Sequence, residues 1–434
     1  MPLMFRLISY CMVGSAYLIF MSMYAPHGID WFSWYFYRIF NLAEYLRLNG
    51  YLSSYGFSIW TTCQDCNLSG EPIYLSDNVI KFAPYILVNH LWGKESLQIY
   101  GPIINCFAIL VSAISAAELI VKCVKNYSKI AFYFIGVAGF TLFLTAPWTY
   151  RMFLQPWAEV YFLMFTLLAL LSFSSHHNRL ACLLLFAAGL AQYQWAIAVA
   201  MFYALLTIVP YLTKDRIGSS DYIPPFGNER LGKFAIISSL LLPAVGNLVL
   251  RFILQQNFDV TSGSSLLTRV GISGNDIHNG GLLGALQFLG GNRITLCVQD
   301  YISGNTAFTL LKGISMYNCL LSITGMALLS ILSIFGLCIL LKKSPLSKWI
   351  ILPLAYGFLI FITVLQQSSS VHLLGYSYVF SFLFAAGIAS VVVFIAQFIR
   401  SSTLSIALAI PCLTGIIILS IRVSMLTEVV IGRT

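Results

Sequence analysis

LISYCMVGSAYLIFMSMYA (residues 7–25), followed at once by Pro26-His27-Gly28-Ile29-Asp30-Trp31, decides the fold class. The first part carries no charge and, as a helix, is long enough to cross the ~30 Å hydrocarbon core of a bilayer. The second part ends it with a proline, a glycine and an acid at the edge where the helix reaches water. The pair reads as a membrane span opening into a polar loop. The span lacks a small-residue cleavage pattern before Pro26, so it is expected to be retained, not removed as a signal peptide.

Composition extends that reading to the whole chain. Its 434 residues are 59% hydrophobic and 9% charged, with a mean hydropathy of +0.84. Soluble domains are about one quarter charged, so a soluble enzyme is excluded. The formal charge of +9 points to basic cytoplasmic loops, not to nucleic acid.

Further apolar runs occur at about 100–121, 130–148, 157–173, 234–254, 316–341, 349–365, 374–397 and 403–425. The stretch 180–212 is too long for one ordinary span. Gln192-Tyr193-Gln194 interrupts it, giving two short spans over 180–191 and 195–212; one long tilted helix is the alternative. The first choice makes about eleven spans in a single all-α transmembrane domain over 1–434. With the N-terminus inside, every short basic loop falls on one side. Those inner segments hold Arg6, then Lys122, Lys125 and Lys129, then Arg179, then Lys214, Arg216, Arg230 and Lys233, then Lys342, Lys343 and Lys348, then Arg400. Two long loops, 26–99 and 256–315, are then outside. In the first, the aromatic-rich run 32–51 and the patch 82–88 read as interfacial helices lying against the membrane.

Chemistry is expected where polar groups meet the outer ends of spans. Asp30 closes the first span, and Glu159 opens the fourth with Arg151 in the loop just before it. Arg251 lies near the outer end of its span, and Arg269, His278 and Arg293 follow in the second long loop. His372, Tyr376 and Tyr378 stand at the start of the tenth span. An ionisable group at bilayer depth is costly unless paired or functional. A carboxylate can act as general base or metal ligand, and an arginine can grip a phosphate with two parallel bonds. The plainer alternatives are a Glu159–Arg151 pair, a capping role for Asp30, and arginines that snorkel. Most of the ten cysteines sit in spans as small hydrophobes. Cys63-Gln64-Asp65-Cys66 lies in the first loop and reads as a disulfide, since no second pair stands at zinc spacing.

This layout resembles the GT-C superfamily of lipid-linked-sugar glycosyltransferases, including protein O-mannosyltransferases and aminoarabinose transferases. The likeness covers most of 1–400. It rests on Asp30 after the first span, and on Ala83-Pro84-Tyr85-Ile86-Leu87-Val88-Asn89-His90-Leu91-Trp92-Gly93 before the second. Glu159, the split pair over 179–212, the long loop after the seventh span, and His372 with Tyr376-Ser377-Tyr378 complete it. Asp30-Trp31 replaces the paired acids frequent in the family, which leaves a divalent metal open; no other cofactor is expected.

The resemblance implies a donor sugar on a polyprenyl phosphate and transfer on the outer face. Asp30 and Glu159 would be catalytic, and Arg251, Arg293 and Arg269 would bind the donor phosphate. Arg151, His372, Tyr376, Tyr378 and His278 would bind substrate. Many members carry a soluble C-terminal domain that has no counterpart here, so a glycan or lipid acceptor is expected over a protein. The competing classes are a lipid-linked-sugar flippase or transporter, which would show internal repeats and mid-membrane polar groups, and an O-antigen polymerase or ligase.

Overall fold

The computed structural model describes residues 2–24, 41–50, 57–59, 73–78, 82–93, 96–124, 129–152, 158–212, 230–257, 316–364, 370–398 and 402–431. Helices dominate them. In chain order they are α1 (Pro2–Tyr24), α2 (Ala83–Trp92), α3 (Ser96–Cys123), α4 (Lys129–Thr145), α5 (Thr149–Met152), α6 (Ala158–Phe173) and α7 (Asn178–Ala191). Then come α8 (Tyr193–Leu212), α9 (Arg230–Asn257), α10 (Met316–Lys343), α11 (Pro345–Val364), α12 (Ser370–Phe398) and α13 (Ser402–Ile431). Every apolar run in the sequence is a helix, with ends close to those expected. The chain is membrane-embedded. Among the described residues four stretches are long and apolar enough to cross a bilayer: Ile103–Cys123, Phe234–Leu254, Thr324–Lys343 and Tyr378–Ile395.

One short sheet joins the helices. β1 (Phe57–Ile59) pairs antiparallel with β2 (Ile73–Asn78), with an irregularity between Phe57 and Ser58. The sequence reading treats this region as loop, because β1 is too short to show an alternating pattern. Of the run 32–51 expected as a helix in the first long loop, residues 32–40 lie outside the described residues. Residues 41–49 are helical and bury Leu42, Ala43 and Leu46. Glu44 and Arg47 form an exposed pair at 2.5 Å, which raises the Arg47 guanidinium above its already high value. α2 begins with Pro84 in its first turn, where a missing N–H costs nothing, and stops at Gly93. That glycine sits at φ +79° and donates its N–H to the Asn89 carbonyl. α2 buries Tyr85, Ile86 and Val88 and exposes Leu87, Leu91 and Trp92.

The chain divides into two compact units. The first comprises Met1–Ser15, Ala113–Arg151 and Arg269–Thr434; the second comprises Ala16–Ser112 and Met152–Thr268. In the first, α12 is the central helix and packs against α4, α10, α11 and α13. α10 and α12 touch backbone to backbone: a Cβ on Gly387 would land on the Ser333 carbonyl, and one on Gly336 would land on the Gly387 carbonyl. Close approach through small residues is the normal packing mode in a membrane, where lipid offers no hydrophobic drive. Trp148 meets Phe380 edge-on at 4.6 Å, and Ser420 donates to the Thr145 carbonyl at 2.6 Å.

The same unit contains a charged group that the sequence reading overlooks. The Arg6 guanidinium donates through Nε and Nη2 to the two oxygens of Glu118, each at 2.9 Å. Tyr10 donates to Glu118 Oε1 at 2.9 Å. Arg6 is therefore not a solvated loop charge. It is buried against α3, and its bidentate partner offsets its charge. Gly136 lies over this group, where a Cβ would stand 2.7 Å from the Tyr10 hydroxyl.

The second unit is built on α6, α7, α8 and α9. α6 and α7 form an antiparallel pair joined by a tight turn at 174–177, in which His176 takes a positive φ. α9 packs on both α7 and α8. Its Pro243 faces Gly189 of α7, where a Cβ would meet the proline ring at 2.6 Å and the Leu240 carbonyl at 2.8 Å.

Candidate functional site

The polar centre of the second unit forms where α7 becomes α8. Gln192 alone separates the two helices, in an extended conformation with φ −149° and ψ 91°. Its N–H bonds the Ala188 carbonyl and its own carbonyl accepts from Ala196. Both backbone groups of Gln192 are thus satisfied at the break, as a membrane interior demands. The side chains at the break reach outward to two charged residues from other helices.

Gln192 Nε2 donates to Glu159 Oε1 at 2.9 Å. Glu159 sits in the first turn of α6 and is 3% exposed. There the positive end of the helix dipole favours its carboxylate. One residue after Gln192, the Tyr193 hydroxyl accepts from Arg251 Nη1 at 2.9 Å and from Gln194 Nε2 at 3.3 Å. Arg251 is 8% exposed and lies on the buried stripe of α9 with Leu240, Ala244, Asn247 and Leu254. The opposite side of α9 exposes Leu242, Val245, Val249 and Phe252. A carboxylate and a guanidinium from different helices are thus held by two consecutive residues. Trp195, stacked on Phe162 at 5.8 Å, packs the same region.

Helix α2 is fastened close by. Tyr161, two residues beyond Glu159, donates to the Tyr85 hydroxyl at 2.7 Å. Burial holds the Tyr85 phenol well above its ordinary value, with Tyr161 adding to the shift. Tyr85 is a protonated, neutral hydrogen-bonding group, not a base. Asn105 of α3 donates to the Met152 carbonyl and fixes the chain shortly before α6.

Comparison with protein-family models, with curated proteins and with solved structures finds no match. The functional reading therefore rests on the residues themselves.

Of the residues singled out in the sequence, Glu159 and Arg251 are each bonded to one of the two consecutive residues at the helix break. Asp30, Arg269, His278 and Arg293 lie outside the described residues, as do Cys63 and Cys66. Arg151, His372 and Tyr376 are on helices, but their side chains lie outside the description. Tyr378 is fully buried in the first unit and meets Phe143 of α4 edge-on at 5.8 Å. The described bond of Glu159 is to Gln192, a partner the sequence reading did not consider. Asn247 was also missed, although its spacing of four from Arg251 places both on one helix face.

Glu159 receives an amide N–H on one oxygen. Among the described residues no three His, Cys, Asp or Glu side chains come together. What the arrangement offers is an oriented carboxylate acceptor and an oriented guanidinium within apolar walls.

Proposed function

We propose that the chain is a polytopic membrane glycosyltransferase of the GT-C type. It moves a sugar from a polyprenyl-phosphate donor to a glycan or lipid acceptor on the outer face. The reading is supported by one observation above the rest: Gln192 and Tyr193 hold Glu159 and Arg251 at a single helix break. Acceptor positioning and phosphate binding need those two charges, and the low-polarity surroundings strengthen both.

In this reading Asp30 takes the proton of the acceptor hydroxyl as its oxygen bonds to the anomeric carbon. The bond from that carbon to the phosphate oxygen breaks, and the electron pair leaves with the polyprenyl phosphate. Arg251 neutralises the departing phosphate, with Arg293 and Arg269 from the second loop. Transfer is direct and inverts the anomeric centre. Glu159 orients the acceptor, with Arg151, His372, Tyr376 and His278 as further substrate contacts. About eleven spans would cross a plasma or inner membrane with the N-terminus cytoplasmic. α2 and the helix at 41–49 would lie in the outer interface, with Leu87, Leu91 and Trp92 of α2 facing lipid.

A flippase or transporter is the second reading, favoured by the broken helix with charged neighbours. Reconstituted protein supplied with a polyprenyl-phosphate hexose decides between them. Sugar transfer that falls ~10²–10⁴-fold in Asp30→Asn, with folding intact, supports general-base catalysis. Lipid movement across the bilayer without any transfer would refute the enzyme.

A further inference from the structure

Asn247 is 6% exposed, and its Oδ1 has no hydrogen-bond donor among the described residues. Its neighbours on the buried stripe of α9 are Leu240, Ala244 and Leu254, with Arg251 the one charged member. Leucine or alanine would fill this position without desolvating an amide, so packing does not explain it. Four residues apart on a helix, Asn247 and Arg251 are neighbours, with Cβ atoms roughly 5–6 Å apart. A sugar whose phosphate met the Arg251 guanidinium would lie along this stripe, where the Asn247 carbonyl oxygen can accept from a ring hydroxyl.

We propose that Asn247 reads a hydroxyl of the sugar whose phosphate Arg251 holds, so that the two together select a phosphorylated polyol over a bare phosphate. The inference rests on the phosphate role given to Arg251. A site built to receive a hydroxyl rejects the analogue lacking it, because its own polar group is then left unsatisfied. Asn247 is a specificity residue here, distinct from the groups that perform the transfer.

The test uses the full chain in lipid nanodiscs. The binding probes are bare polyprenyl phosphate and a panel of polyprenyl-phosphate hexoses in gluco, galacto and manno forms. Wild type is expected to bind at least one hexose form more tightly than bare lipid phosphate. Asn247→Leu should weaken that form roughly 5- to 10-fold, the worth of one hydrogen bond, and leave bare lipid phosphate unchanged. Asn247→Ala serves the same purpose if leucine fails to assemble. Equal weakening of both probes, or no weakening of either, overturns the assignment and leaves the glycosyltransferase reading standing. Wild type that binds neither probe overturns both. Free hexose 1-phosphate showing the same Asn247 dependence, with the lipid forms inactive, upholds Asn247 and overturns the lipid-linked donor.

Discussion

Glu118→Ala removes a carboxylate that accepts three hydrogen bonds, two from the Arg6 guanidinium and one from the Tyr10 hydroxyl. The Arg6 and Glu118 side chains are 9% and 14% exposed, so the guanidinium left behind finds little water. With charge centres about 4 Å apart and an effective dielectric near 20, the Coulomb attraction is ~4 kcal/mol. Removing one partner of such a pair costs ~3–5 kcal/mol, much of it the stranded charge. The double variant Arg6→Met with Glu118→Leu removes both charges and should recover most of that loss. Tyr10→Phe keeps the ring stacked on Phe140 at 4.8 Å and should lose ~1.5–3 kcal/mol, the value of one bond to a charged acceptor. Equilibrium unfolding of Arg6→Met, Glu118→Leu and the double variant in mixed micelles, followed by tryptophan fluorescence, gives the full cycle. A coupling of at least ~2 kcal/mol between Arg6 and Glu118 is expected. A double variant that loses the sum of the two single losses, with coupling below ~0.5 kcal/mol, would refute a buried pair.

Two further outcomes follow from the packing and the site. Gly387→Val should lower Tm and monodisperse yield by at least the ~1–3 kcal/mol of an overpacked core, because its Cβ meets the Ser333 backbone; Gly415→Ala, with nothing within 4 Å of its Cβ, should be neutral or stabilising. Tyr193→Phe keeps the ring and removes the acceptor of Arg251. Donor binding should weaken about tenfold, the worth of ~1.5 kcal/mol, while unchanged affinity would show that this bond does not orient the guanidinium.

The helices were legible because bilayer-scale apolar runs need no tertiary context. The break at Gln192 was legible for the same reason, since three polar residues interrupt an otherwise apolar stretch. The partners across space were not. Glu118 hides within an apolar run in the sequence, and nothing near it in the chain names Arg6. Gln192 and Glu159 are thirty-three positions apart, beyond any local pattern. Asn247 could have been found by pairing each polar residue in a span with the ionisable group one helical turn away. The short pair β1 and β2 left no readable alternation. The contact of Tyr378 with Phe143 joins residues far apart in the chain and was likewise out of reach.

The single residue between α7 and α8 works as a gear tooth between two shafts. Each residue in a helix advances the chain by about 100°, so one residue inserted between Gln192 and Tyr193, as part of α8, would turn the rest of α8 by that angle against α7. Tyr193 would then point away from Arg251 while Gln192 still faced Glu159. The junction tolerates changes of side chain far better than changes of length. A family of sequences sharing this device would show substitutions at the break but a fixed residue count across it, a constraint on phase and not on chemistry.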